Sequence, residues 1–162
     1  MKKVFLLLVT VSSFVTVLGQ SDKPEATGGA SKAVYGELGG SGLAFSANFD
    51  SRFKGFNGFG FRIGIGGAGG TGGGILTFPV GFNYLAGKKG PHFFEVGATV
   101  TLVTAAFDIS DETGSSWFAL PHFGYRYTKP ASSFNGRIYV GPIITDGFVF
   151  FPFGGISAGF TF

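Results

Sequence analysis

The chain has 162 residues, enough for one domain, and only 13% of them are charged, against about 25% in an average soluble domain. Thirty glycines and twenty-two phenylalanines exclude a soluble helical bundle, because glycine breaks helices and aromatic rings favour strands. Cysteine is absent, which excludes disulfides, thiolate metal sites and a lipid-bearing N-terminal cysteine.

The N-terminus reads as a secretory signal peptide over residues 1–19. Met1-Lys2-Lys3 is a basic n-region, Val4 to Leu18 is an apolar h-region, and cleavage is placed after Gly19. The alternative of an uncleaved anchor helix is disfavoured by the short run and by Ser12, Ser13 and Thr16 within it. Removing Lys2 and Lys3 from twelve basic residues leaves ten against nine acidic ones. The mature charge is therefore nearly balanced and points to no nucleic-acid partner. Residues 20–32 are small and polar and read as a mobile leader.

From residue 33 the pattern is alternation. Seven segments read as strands, near 33–49, 57–66, 75–85, 92–104, 117–127, 135–144 and 150–162. Each is about as long as the ~9–11 residues that cross a bilayer at a tilt. In the second, Phe59, Phe61, Ile63 and Ile65 share one face, opposite Gly60, Arg62, Gly64 and Gly66. In the fourth, Phe94, Val96, Ala98, Val100 and Leu102 oppose Glu95, Gly97, Thr99 and Thr101. The polar face has too many glycines and too few charges for a solvated exterior. It suits the lumen of a narrow membrane barrel, with residues 33–162 forming the barrel domain.

The first segment breaks parity, because Glu37 is odd-numbered while Ser46 and Asn48 are even. A one-residue bulge at Gly39, Gly40 or Gly42 would put all three inside and Leu43, Phe45 and Phe49 outside. The Phe160-Thr161-Phe162 terminus looks like the signal that barrel-assembly machinery reads, which sets Phe162 on the periplasmic side. The turns near 50–56, 86–91 (with Lys88 and Lys89) and 128–134 are then periplasmic. Those near 67–74, 105–116 (with Asp108, Asp111 and Glu112) and 145–149 are extracellular. Aromatic residues gather at both predicted interfaces, Phe53, Phe56, Tyr84, Phe93, Tyr127 and Phe134 at one and Trp117, Phe118, Phe148, Phe150 and Phe151 at the other. Seven strands would start the barrel on the wrong side, and single-chain bacterial barrels have an even number. The expectation is therefore an all-β, up-and-down antiparallel transmembrane barrel of about eight strands. The missing strand is either a poor one in residues 20–32 or one of two merged in a single segment; failing both, the leader threads the lumen.

The stretches VYGELGGSGLAFSANFDSRF (34–53), GFRIGIG (60–66), FPVGFNYLAGKKGPHFFEVGATVT (78–101), FGYRYTK (123–129) and GISAGFTF (154–162) cover much of the mature chain. With them the chain resembles the small outer-membrane β-barrel proteins of the Bacteroidetes type, and at fold level the OmpA/OmpX-like barrels. The resemblance implies the barrel and an outer-membrane location; it carries no catalytic residues over.

Glu37, Arg62, Glu95, Arg126 and Arg137 are the candidate lumen charges. They read as a network that fills and neutralises the interior, in preference to a selective pore or a catalytic cluster. Gly64 to Gly69 matches G-x-G-x-x-G but runs into Gly70 and Gly74 and a further strand, where a nucleotide site needs a helix. His92 and His122 fall at opposite ends, so no shared metal is expected; His122 near Ser115 or Ser116 is the weak catalytic alternative. Pro79, Pro121, Pro142 and Pro152 all fall in the outer halves of strands, where missing ladder bonds read as rim irregularity or, less favoured, as a sideways entry for lipid. The function expected is a non-enzymatic, porin-like outer-membrane barrel, structural or loop-presenting. The alternatives are a lipid-modifying barrel enzyme and a conduit for small hydrophobic molecules. Expected partners are outer-membrane lipid and, through Phe160 and Phe162, the assembly machinery; the barrel is expected to be monomeric, without metal or cofactor.

Overall fold

The computed structural model describes residues 31–70, 73–87, 91–108, 115–128 and 133–162. The signal peptide, most of the leader, Lys88, Lys89, Asp111 and Glu112 lie outside the described residues. The strands are β1 (Lys32–Gly39), β2 (Phe45–Arg52), β3 (Gly58–Gly70), β4 (Gly73–Ala86), β5 (His92–Asp108), β6 (Ser115–Thr128), β7 (Phe134–Thr145) and β8 (Phe148–Thr161). Each pairs antiparallel with the next, and β1 pairs with β8, giving a closed eight-stranded up-and-down barrel. At the lower end, where β1 begins and β8 ends, Lys32 and Phe162 exchange backbone hydrogen bonds of 3.0 and 2.8 Å across the closing seam.

Alternation sets the two faces. Phe59, Ile63 and Ile65 of β3 are exposed on the outside while Arg62 between them is fully buried. On β5, Phe94, Val96, Val100 and Leu102 are exposed and Glu95, Thr99 and Thr101 are buried. The same reading continues around the wall through Phe82, Phe123, Ile138 and Phe160. The result is an apolar belt over a polar interior, the inverse of a water-soluble barrel.

The eighth strand comes from the segment read as one run at 33–49. That run is two strands, and the expected bulge is corrected to a hairpin turn. Gly40–Gly42 forms one turn of 3-10 helix between β1 and β2. Gly40 has φ +63, in the left-handed region that a glycine adopts at little cost. The hairpin sets Glu37 directly opposite Ser46, and Glu37, Ser46 and Asn48 are all buried inside. A hairpin and a bulge both reverse parity, and the sequence pattern alone does not separate them. Leu43 also departs from expectation: it packs inward against Leu120, Phe118 and Tyr139. Its φ of 68 is strained for a non-glycine residue.

The other strands run further at the upper end than their apolar patterns suggest. β3 reaches Gly70 and β5 reaches Asp108, while β7 and β8 join through Asp146-Gly147. The prolines leave their mark there. The β6–β7 ladder holds one register from Phe123↔Val140 to Ala119↔Ile144 but has no rungs between. That register puts Pro121 opposite Pro142, so neither can donate to the other. Pro152 lies beside the β7–β8 register shift between Gly141 and Ile143.

Candidate functional site

The lumen divides into two layers. The lower one is a row of ions that alternate in sign. Arg62 Nη2 lies 3.1 Å from Glu37, and Glu37 lies 3.2 Å from Arg137. Arg137 is 3.0 Å from Glu95, and Glu95 accepts a 2.8 Å bond from Arg126. Arg126 reaches Asp50 at 3.0 Å, and Asp50 meets Arg52 at 2.5 Å. Four guanidiniums thus enclose three carboxylates, and every member is almost fully buried. Each carboxylate lies between two cations, the arrangement that offsets the cost of removing charge from water.

Neutral side chains complete the layer. Arg62 donates to Asn48 at 2.9 Å, Asn83 donates to Asp50 at 2.8 Å, and Arg52 also donates to Asn83. Arg137 donates to the Tyr35 hydroxyl at 3.2 Å and stacks over the Tyr139 ring at 4.1 Å. The inward glycines give these chains their room: a Cβ on Gly60 would sit 2.2 Å from the Arg52 guanidinium carbon.

The 3-10 turn closes the lumen above this row. Ser41 is fully buried at its tip. Its hydroxyl donates to Glu37 at 3.1 Å and accepts from Arg62 at 2.5 Å. Its backbone N–H donates to the Tyr139 hydroxyl at 2.9 Å, and Tyr139 donates onward to Glu37 at 2.9 Å. Across the barrel, Thr101 donates to the Ser41 carbonyl at 2.9 Å and Thr77 to the Gly42 carbonyl at 3.2 Å. The turn is thereby bonded to β1, β3, β4, β5 and β7 and acts as a plug.

Over the plug lies an apolar layer. Phe118, Leu120 and Tyr139 form its buried centre, with Leu43, Val103, Ile143 and Phe153 packed on it; Phe118, and Phe93 on β5, are therefore buried and not part of the expected aromatic girdles. At the opposite mouth, a water-sized recess is lined by Ser31, Asp50, Arg52, Arg126, Thr128 and Asn135.

All five charges singled out in the sequence, Glu37, Arg62, Glu95, Arg126 and Arg137, meet in the one row. Asp50 and Arg52 also belong to it and were assigned to a turn in the sequence reading. Once β2 is recognised as a strand of its own, the even-numbered series Ser46, Asn48, Asp50, Arg52 places both inside. Tyr35 and Tyr139 share the inward parity of Glu37 and Arg137, but their partners, like the whole role of Ser41, depend on contacts across the barrel. His92 and His122 are separated: His92 is exposed near the lower end, 2.5 Å from the Tyr125 hydroxyl. His122 is buried in the lumen. Its Nδ1 lies 3.1 Å from the Leu120 carbonyl, and its Nε2 lies between Arg137 at 3.1 Å and Glu95 at 3.5 Å. Ser115 and Ser116 are exposed at the upper end of β6, several residues along the strand from His122, and the structure forms no Ser–His pair with them. Phe160 and Phe162 lie on the outer surface at the lower end. Among the described residues no group of His, Asp and Glu is arranged to hold a metal ion.

This is the architecture of an eight-stranded β-barrel with an apolar exterior and a filled lumen. Among solved structures it is similar to the N-terminal β-barrel domain of Pseudomonas aeruginosa OprF, with a TM-score of 0.53 and 13% identity, over 84% of this chain and 100% of that one. No protein-family description matches the sequence, and no curated protein matches it. The expected likeness of fold is borne out, and nothing in these comparisons supports the Bacteroidetes-type family.

Proposed function

We propose that the chain is a non-enzymatic barrel of the bacterial outer membrane whose lumen is sealed, serving as a structural element that holds its upper loops outside the cell. The observation that carries this reading is the pairing of an apolar belt with the sign-alternating ion row beneath the Ser41 plug. The belt matches a hydrocarbon environment. The row leaves no unpaired acid to bind a cation, and its guanidiniums are engaged by carboxylates. Residues 1–19 act as the export signal, and the lower end, with Phe160 and Phe162, faces the periplasm. There the last strand serves as the recognition signal for barrel assembly. The lipid-modifying alternative is weakened by the distance between His122 and the rim serines.

The test is extraction and conductance. The mature protein should need detergent for release from membranes, should migrate differently with and without boiling, and should give no ion channel in planar bilayers. Release into a soluble fraction would end the membrane reading, and steady conductance would end the sealed-lumen reading. Deleting Phe162 should sharply lower the heat-modifiable form recovered from membranes; an unchanged yield would remove its role as an assembly signal.

A further inference from the structure

The wall has a notch. The β1–β8 ladder ends at Gly39↔Gly155, yet β8 continues upward to Phe148. The β2–β3 ladder ends at Phe45↔Gly67, yet β3 continues to Gly70. Between these flanks both β1 and β2 are missing, because their turn folds into the lumen and not over the rim. Strands lie about 4.8 Å apart, so β8 and β3 face each other across roughly 14 Å. Height places the notch against lipid. A strand of 8 residues at ~3.3 Å per residue and a tilt of ~40° climbs about 20 Å, short of the roughly 25 Å apolar band of such barrels. The 14 residues of β8 climb about 35 Å on the same arithmetic.

The side chains around the opening are apolar, although the β8 and β3 edges that flank it carry backbone groups without a ladder partner. Its outer lip is Leu38 and Phe45, both more than 60% exposed. Its floor is Leu43, and behind it stand Phe153 and Leu120 of the upper layer. On the β8 flank, at and above the upper edge of that band, Phe148, Val149, Phe150 and Phe151 are consecutive and all exposed, so this strand segment is apolar on both faces. A continuous apolar path thus runs from the lipid-facing belt into the upper lumen. The ion row lies below the plug and out of reach.

We propose that this notch is a lateral binding site for one hydrocarbon chain of an outer-leaflet lipid, which enters between β8 and β3 over Leu43 and rests on the upper apolar layer. The inference rests on the membrane reading above. It does not require passage to the periplasm, which the plug blocks.

The chain holds a single tryptophan, so Trp117→Phe gives a silent background. In it, Phe153→Trp reports from the inner side of the notch and Phe78→Trp from the lipid-facing wall. Both are folded into phosphatidylcholine vesicles whose acyl chains carry bromine at mid-chain, a contact quencher. Heat-modifiability on a gel selects folded protein, and Ile143→Trp replaces Phe153→Trp if that variant does not fold. The expected result is strong quenching at Phe78→Trp and at least half as much at Phe153→Trp. Quenching at Phe78→Trp alone would overturn the notch site and leave the membrane reading standing. Quenching at neither position would overturn the membrane reading itself. An unquenched Phe153→Trp together with a cross-linked dimer would assign the notch to a second copy of the chain and refute a lipid occupant.

Discussion

The two layers of the lumen are built from opposite chemistry. The lower one is held by directional contacts, in which Glu37 alone engages Arg62, Arg137, Ser41 and Tyr139. The upper one is held by apolar packing of Phe118, Leu120, Ile143 and Phe153. Buried ions tolerate only a narrow geometry, because a lost partner strands a charge. An apolar layer has no charge to strand and accepts rearrangement at lower cost. The Ser41 turn is the boundary between them. Its polar tip faces the ions, and Leu43 at its end faces the apolar layer.

The comparison breaks most severely at Glu37. Glu37→Ala removes the only carboxylate that Arg62 touches among the described residues and takes the acceptor from the Ser41 and Tyr139 hydroxyls. Removal of one partner from a buried pair costs about 3–5 kcal/mol. The urea midpoint of the heat-modifiable form should fall accordingly, and conductance steps should appear as the plug loosens. An unchanged midpoint would show that the ion row contributes little. In the upper layer, Leu120→Ala should cost about 2–4 kcal/mol by transfer and cavity terms. It should open no ion path, because the plug and row are untouched; conductance from this variant would contradict the division into layers.

The boundary has its own test. A Cβ on Gly40 would lie 2.0 Å from the Tyr139 hydroxyl oxygen, at a residue with φ +63. Gly40→Ala should cost about 1–2 kcal/mol from the left-handed backbone and should also displace Tyr139. Removing the hydroxyl with Tyr139→Phe takes away the closest contact and leaves the ring carbon Cζ at 2.7 Å, so the double variant should lose somewhat less than the sum of the singles. Additive losses would mean that Gly40 and Tyr139 do not meet.

The lower layer was the more legible of the two. Period-two alternation assigns Arg62, Glu95, Arg126 and Arg137 to one face without any knowledge of neighbours, since a strand sends alternate side chains to opposite sides. Glu37 followed from the cost of placing an ionised acid in lipid. The strand break did not follow. Gly39-Gly40-Ser41-Gly42 is compatible with a bulge as well as a turn, and the error hid Asp50 and Arg52 in a supposed loop. The plug and the upper layer were not legible at all. Ser41 meets Thr101 and Tyr139 through contacts 60 and 98 residues apart in sequence. Such pairings depend on the register of several strands at once. The prolines were visible as a group on the upper strands, but that Pro121 faces Pro142 required the β6–β7 register.

That pair gives the smallest expected effect and the finest probe of the upper wall. The rungs at Ala119↔Ile144 and Phe123↔Val140 bracket the gap, so the strands are already in register and need no shift to pair. The Pro121 carbonyl points toward β7, where a Cβ on Gly141 would come within 1.9 Å of it. Neither proline has an N–H, so two ladder bonds are missing from this part of the wall. In Pro121→Val with Pro142→Val, both donors return opposite waiting carbonyls. A net hydrogen bond contributes about 0.5–1.5 kcal/mol, and valine gives back some unfolded-state entropy that proline had removed. The expected gain is therefore about 1 kcal/mol in the urea midpoint, with slowed hydrogen exchange at the two new amides. The single variants should gain less than half of this, because each restores one bond. If the double variant gains nothing and its new amides exchange freely, the strands part between these rungs, and the upper wall is looser than the register implies.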